Sequence, residues 1–150
     1  MKPFSVRVEF ISTPQIADPS SPQWAEWPPA PDRFFQAMVA TAAATGQELA
    51  PLRYLESAPA IEASDAKTST TLRYVPDNFR RAGGYHVGAA KHFPMAHPET
   101  PVVGYAWNDV PEDIIPALER IAVEVTYVGR ASSRVIVTPG PVQPTWVPSA

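Results

Sequence analysis

The chain has 150 residues, 45% of them hydrophobic and 18% charged, which is the size and composition of one globular domain. The absence of cysteine excludes disulfides, thiolate metal sites and cysteine nucleophiles. Arg7 and Glu9 stand where a signal peptide needs an apolar run, and no apolar run approaches the roughly 20 residues of a membrane span. We therefore expect a cytoplasmic protein with no membrane partner.

The formal net charge of −3 is unevenly distributed along the chain. Residues 66–98 contain five Lys or Arg and one acid, and residues 126–150 contain two Arg and no acid, whereas residues 1–65 and 99–125 are acidic. Because salt screens charges over about 8–10 Å, each basic segment acts locally. Two interpretations stay open: basic surfaces that bind nucleic acid, or ordinary solvated charge.

The chain begins with a pattern typical of a strand. Apolar and polar residues alternate strictly over Phe4–Phe10, which predicts a strand with one buried face. Residues 13–31 hold six prolines together with Trp24 and Trp27. They predict an ordered loop in which the two indoles cover part of the core.

Two helices are expected next. Pro31 suits the first turn of a helix that ends at Gly46. Apolar residues recur at helical spacing and form its inner face: Phe34, Phe35, Met38, Val39, Ala42 and Ala43. A second short helix from Pro51 to about Ser57 should bury two leucines, Leu52 and Leu55.

From residue 60 to residue 124 the sequence predicts two extended segments, a loop or ribbon between them, and one helix. Residues 60–75 look extended, whereas residues 78–95 have no clear period and predict a long mobile loop or a ribbon. Residues 101–107 predict a strand. An amphipathic helix is expected over residues 113–124, with Pro116 in its first turn.

The chain closes with a strand formed by Tyr127-Val128 and Ser133–Val137, and then a proline-rich tail. The resulting β-α-β-β-α-β order predicts an α+β fold of the ferredoxin-like (RRM/RAMP) type. In that fold both helices cover one face of an antiparallel sheet, and the other face is open to bind RNA. We expect one domain over residues 1–138, and over residues 139–150 a tail or a linker to a second domain.

The basic residues between the central strands are the first candidate RNA site. Guanidinium and ammonium groups pair with phosphates, and Tyr and His rings stack on unpaired bases. Gly83-Gly84 lets the backbone approach a ligand closely. The candidates in this region are Arg73, Arg80, Arg81, Tyr85, His86, Lys91 and His92. The alternative is a disordered surface loop with scattered charges.

A second candidate is the turn over residues 129–134. Gly129, Arg130 and Arg134 combine a flexible backbone with two cations, and Ser132 and Ser133 add hydroxyls suited to phosphate. We therefore assign Gly129, Arg130 and Arg134 to the predicted RNA site.

No catalytic, cofactor or metal site is predicted. Phosphate-binding glycine motifs are absent, and the spacing of His86, His92 and His97 matches no helical metal-ligand motif. Two alternatives to RNA binding without catalysis remain. One is a metal-independent endoribonuclease in which one of these histidines is the general base. The other is a structural adaptor that contacts protein subunits through Trp24, Trp27 and the acidic residues Glu112 and Asp113.

Several blocks of the sequence resemble a known family. In chain order they are Trp27-Pro28-Pro29-Ala30-Pro31-Asp32-Arg33-Phe34-Phe35-Gln36-Ala37, Tyr74-Val75-Pro76-Asp77-Asn78, Phe93-Pro94, Pro101-Val102-Val103-Gly104-Tyr105-Ala106-Trp107 and Tyr127-Val128-Gly129-Arg130-Ala131-Ser132-Ser133. Together they resemble the type I-G (formerly I-U) CRISPR-associated protein that fuses a guide-handle-binding subunit to a guide-processing endonuclease.

The resemblance implies a member of the RAMP superfamily that binds the 5′ handle of CRISPR RNA in a Cascade-type complex. The implied protein partners are the repeated backbone subunit and the large subunit. A basic ribbon at residues 78–91 is the implied thumb against the RNA, and the family's Gly-Arg turn falls on Gly129 and Arg130. Family members continue beyond the end of this chain with the processing nuclease, so we expect this fragment to lack cleavage activity.

Overall fold

The computed structural model describes residues 1–75 and 89–145, and within these the side chains of 73–75 and 89–90 are not described. The described elements, in chain order, are β1 (Lys2–Phe10), α1 (Pro31–Ala44), a 3-10 helix (Ala50–Leu55), β2 (Ala60–Glu62), β3 (Ala66–Val75), β4 (Ala89–Pro98), β5 (Val102–Val110), α2 (Ile115–Ala122) and β6 (Val135–Pro139). An antiparallel sheet with a few helices confirms the predicted α+β class. Within this part of the chain, no helix is both long and apolar enough to cross a membrane.

The strands form a four-stranded sheet and a separate ribbon. The sheet has the order β2-β5-β1-β6, and each neighbouring pair is antiparallel. The ribbon pairs β3 with β4 from Ala66↔Pro98 to Val75↔Ala89. Over residues 89–95 the ribbon alternative is therefore confirmed, and residues 76–88 lie outside the described residues.

The core lies on one face of the sheet, because period-two alternation directs every second side chain there. In β1 the buried residues are Phe4, Val6, Val8 and Phe10, as predicted, and in β5 they include Val103, Tyr105 and Trp107. Both α-helices pack on this face through Phe34, Met38, Leu118 and Ile121. The helix over residues 50–55 is 3-10 rather than α, and it buries Leu52 and Leu55 as expected.

The opposite, outer face is not open along its whole length. Residues 140–145, which we call the crossing tail, run from β6 over β1 and β5 to β2. The backbone N–H of Gly140 donates to the Ser5 carbonyl (3.1 Å), and that of Thr145 donates to the Ile61 carbonyl (3.0 Å). The prediction of a free outer face is wrong where this tail lies, because the protein's own backbone occupies it.

The crossing tail is fixed at its centre by an ion pair and a glycine. Arg7 Nη1 lies 3.4 Å from Glu62 Oε2 and donates to the Pro141 carbonyl, and Glu62 Oε2 also accepts from the N–H of Gln143 (2.8 Å). Val142 packs directly on Gly104 of β5, where an added Cβ would lie 2.8 Å from a Val142 methyl. The tail is thus fitted to this face.

The buried hydroxyl of Tyr105 should make the free energy of unfolding depend on pH in the alkaline range. Its hydroxyl is buried and donates to the Pro29 carbonyl (2.6 Å), and burial, ahead of the nearby charges of Glu26 and Asp32, raises the pKa of Tyr105 well above 10. The unfolded chain ionises at its ordinary pKa of about 10, so this stabilisation is complete below that pH and is lost above it. We expect the free energy of unfolding to fall by up to about 1.4 kcal/mol per pH unit there.

Urea unfolding between about pH 8 and pH 11.5 measures this effect. Tyr105→Phe should remove that contribution to the slope and lower stability by about 1–3 kcal/mol below pH 10, because the Pro29 carbonyl loses its donor. Tyr54→Phe is the control, since Tyr54 is only half-buried. Parallel pH curves for the wild type and Tyr105→Phe would contradict the assignment.

Candidate nucleic-acid interface

One contact joins the two predicted basic segments. The Arg130 guanidinium lies 5.9 Å from the centroid of the Phe93 ring, within the usual range of a cation–π interaction. Arg130 belongs to the turn over residues 129–134, which we call the Arg130 turn, and Phe93 belongs to β4 of the ribbon. Thirty-seven residues apart in sequence, they bring the turn and the ribbon into one surface.

The Arg130 turn owes its shape to Gly129 and a buried serine. Gly129 has φ 78°, and a Cβ at this position would lie 2.8 Å from Cγ1 of the buried Ile16. Ser133 is fully buried, and its Oγ accepts a hydrogen bond from the Gln15 N–H (2.9 Å). Gly129 therefore has a structural role in this site: it lets the turn close against Ile16.

The serine hydroxyls of the turn contact the protein rather than pointing outward for phosphate. Ser132 Oγ donates to Gln15 Oε1 (3.0 Å), and the Ser132 carbonyl accepts from Ser12 Oγ (2.7 Å). Ser12 Oγ also accepts from the Arg134 N–H (2.9 Å). Both hydroxyls that were predicted to suit phosphate hold the turn to the segment 12–15, a partner that the sequence pattern did not indicate.

The ribbon presents cations on a background without carboxylates. Neither β3 nor β4 contains Asp or Glu. The register places Lys91, Phe93 and His97 on one face of β4, while His92 points to the other. Lys91 and His92 are both exposed.

The cations of this surface have no carboxylate partner within the part of the chain that the structure describes. Among residues 1–75 and 89–145, no carboxylate forms a salt bridge with Lys91, Arg130 or Arg134. Arg130 and Arg134 are also exposed. The structure therefore brings Lys91, Arg130 and Phe93 together, with Arg134 at the other end of the same turn.

Five predicted RNA-binding residues have side chains outside the part of the chain that the structure describes. Arg73 pairs in register with Lys91, and its side chain is among those not described. Arg80, Arg81, Tyr85 and His86 lie outside the described residues. For these five residues a role in RNA binding stays a prediction.

The histidines do not form a shared catalytic site in the described part of the chain. His92 and His97 point to opposite faces of β4. Because they are five residues apart in an extended strand, their Cα atoms are about 17 Å apart. Nε2 of His97 is 2.8 Å from Ser69 Oγ. Within residues 1–75 and 89–145, no group of three His, Asp or Glu could hold a metal ion.

The residues of the adaptor alternative have separate roles. Trp27 is half-buried against the core, and its Nε1 donates to the Ser64 carbonyl (2.8 Å). Glu112 pairs with Lys2 at 2.7 Å, and the hydrogen bond from Lys2 lowers the pKa of that carboxyl. Trp24 is 49% exposed, so it is the one indole of the two that presents a large surface to a partner.

Comparison with known proteins places this chain in a family. Residues 1–144 match the family described as CRISPR-associated protein, GSU0054 family. No curated protein matches the sequence. Because the match includes β1 through β6 and almost all of the crossing tail, the chain belongs to the GSU0054 family of CRISPR-associated proteins and has a role in CRISPR defence.

Proposed function

We propose that this chain binds CRISPR RNA at its 5′ handle, as a subunit of a type I Cascade-like surveillance complex. Within that complex it contacts the repeated backbone subunit and the large subunit. The observation that carries the proposal is the Arg130–Phe93 contact, which unites the turn and the ribbon in one cationic surface. RNA offers phosphates to such cations and unstacked bases to an adjacent aromatic ring.

The topology supports the RAMP-type, ferredoxin-like fold within this proposal. With the ribbon set aside, the elements follow the order β-α-β-β-α-β, and the strand order β2-β5-β1-β6 is the one that this pattern gives. The ribbon is inserted between β2 and β5, the position that the RNA-binding thumb occupies in handle-binding subunits related to the family that the sequence resembles.

The geometry favours an RNA path along the ribbon and the turn over a path on the outer face. The crossing tail covers Gly104 of β5, where a sheet-face binder would stack a base. The ribbon and the Arg130 turn instead present Lys91, Arg130 and Arg134 to solvent. RNA on this surface is held mainly through its backbone.

The salt dependence of RNA affinity tests the proposal. If Arg80, Arg81, Lys91, Arg130 and Arg134 neutralise five phosphates of a single strand, the logarithm of the association constant should fall against that of salt with a slope of about −3.5. Fluorescence anisotropy with a labelled repeat RNA across a salt series measures the slope. A slope near zero, or the absence of RNA binding at low salt, would refute the electrostatic grip.

A further inference from the structure

A cleft beside the ribbon has the shape and chemistry of a nucleotide site. It measures about 420 Å³ and lies between residues 10–14, at the end of β1, and residues 96–98 at the end of β4, with Pro101 just before β5. None of its lining residues is acidic. The lining combines apolar side chains, Ile11 and three prolines (Pro14, Pro98 and Pro101), with the hydroxyls of Ser12 and Thr13, and His97 is its one imidazole.

The walls of the cleft are fixed by backbone hydrogen bonds. The N–H of Ala96 donates to the Pro14 carbonyl (2.9 Å), and the N–H of Phe10 donates to the Pro101 carbonyl (2.7 Å). Ala96 itself is fully buried. Because the two walls are tied together at both ends, the cleft exists before any ligand binds, which lowers the entropic cost of binding.

One cation stands near each wall of this cleft, and the exposed carboxylate of Glu99 lies between the lining residues Pro98 and Pro101. Lys67 is the register partner of His97 across the ribbon, and it is exposed. The Arg134 carbonyl accepts from the Ile11 N–H (3.0 Å), so Arg134 stands beside Ile11 at the other wall. Within residues 1–75 and 89–145 neither cation forms a salt bridge.

The imidazole of His97 is held in a fixed orientation. Its Nε2 lies 2.8 Å from Ser69 Oγ, a diagonal neighbour on the same face of the ribbon. The other ring nitrogen, Nδ1, has no hydrogen-bond partner among the described residues and can pair with a polar edge. Ile11, 55% exposed, offers an apolar surface opposite.

We propose that this cleft binds one unstacked nucleotide of the RNA strand, with its base between Ile11 and His97 and its phosphates near Lys67 and Arg134. The inference rests on the proposed function and extends it from backbone contacts to a base-binding subsite. A cleft that offers apolar side chains and polar groups, with a cation near each wall, matches a ligand with a flat base, polar base edges and an anionic backbone, as a nucleotide has. A hydrophobic peptide would use the slot and leave both cations without a partner.

Photocrosslinking tests this site on the 150-residue chain. A short single-stranded RNA with 4-thiouridine in place of uridine is irradiated with the protein, and the crosslinked peptides are identified by mass spectrometry. We expect adducts within residues 10–14 or 96–101. Adducts confined to other segments would overturn the cleft assignment.

Affinity measurements with matched variants complete the test. Ile11→Asp places a carboxylate in the slot and should weaken RNA binding by about tenfold, the loss of one stacked base, and His97→Ala should do the same. Leu49→Asp is the control, since Leu49 is equally exposed (50%) beside the 3-10 helix and should change nothing. Thermal melting verifies that each variant is folded.

The outcomes separate the two proposals. If Ile11→Asp and His97→Ala bind RNA as the wild type does, the cleft proposal fails while RNA binding stands. If the wild type binds no RNA, the proposed function fails, and the cleft proposal falls with it. Binding of a hydrophobic peptide that RNA does not displace would assign the cleft to a protein partner instead.

Discussion

Replacing Gly129 with alanine should lower the free energy of unfolding by about 2–4 kcal/mol. The residue has φ 78°, a conformation that costs an L side chain about 1–2 kcal/mol. The new methyl would also lie 2.8 Å from Cγ1 of Ile16 and 3.0 Å from its Cδ1. Ile16 is fully buried, so it has little room to move away, and the contact adds an overpacking cost.

Thermal and urea unfolding measure this loss. At this chain length we expect the melting temperature to fall by about 5–15 °C. Gly46→Ala is a matched control, because Gly46 also has a positive φ (69°) but nothing lies within 4 Å of an added Cβ. Its loss should be about 1 kcal/mol, the conformational cost alone.

A double-mutant cycle isolates the contact with Ile16. Ile16→Ala is itself destabilising, but it removes the atoms that the new methyl would strike. The double variant Ile16→Ala/Gly129→Ala should lose less free energy of unfolding than the two single variants lose together. The difference should be at least about 1 kcal/mol. If Gly129→Ala and Gly46→Ala lose the same stability, the close approach to Ile16 does not determine the effect.

Local periodicity made much of this fold predictable. One buried face imposes the alternation of Phe4–Phe10, which is why β1 was found with its buried side chains. Pro31 and Gly46 bracket α1 because each suits the backbone of a helix end. Such signals act within a few residues and are therefore visible in a single sequence.

The crossing tail shows the limit of local patterns. A proline-rich segment has no period that indicates where it will lie, and its hydrogen bonds reach partners such as Glu62, 81 residues away. One signal was present: Gly104 lies in a strand between large side chains. Glycine inside a strand marks a place where another backbone approaches closely, and here that backbone is the tail.

The sequence indicated which basic segments form the candidate RNA surface, but not how the fold brings them together. Counting charged residues identified the segments that contain Lys91 and Arg130, because the charge of a segment follows directly from its residues. The bonds that hold the Arg130 turn, from Ser12 and Gln15, span 117 to 122 residues. Long-range pairings of this kind depend on the packed fold, so no single-sequence pattern reveals them.

Replacing Arg130 with alanine should weaken RNA binding by roughly 10- to 150-fold, the scale of a lost charge-assisted contact. The guanidinium is exposed, forms no salt bridge within the described residues and stacks on Phe93. In the proposed RNA complex, its removal would take away one phosphate partner and also the cation that joins the turn to the ribbon. The salt slope should become shallower by about 0.7, the contribution of one phosphate on a single strand.

Two further variants test why Arg130 matters. Arg130→Lys separates the charge of this residue from the shape of its guanidinium, and Arg120→Ala tests the effect of net charge alone. Arg130→Lys keeps the charge but loses the planar guanidinium, so the salt slope should be unchanged while affinity falls by about two- to fivefold. Arg120→Ala removes one positive charge from the exposed side of α2, away from the ribbon, and should alter neither quantity. If Arg120→Ala and Arg130→Ala lower affinity equally, RNA responds to net charge alone, and the surface built by Arg130 and Phe93 is not its binding site.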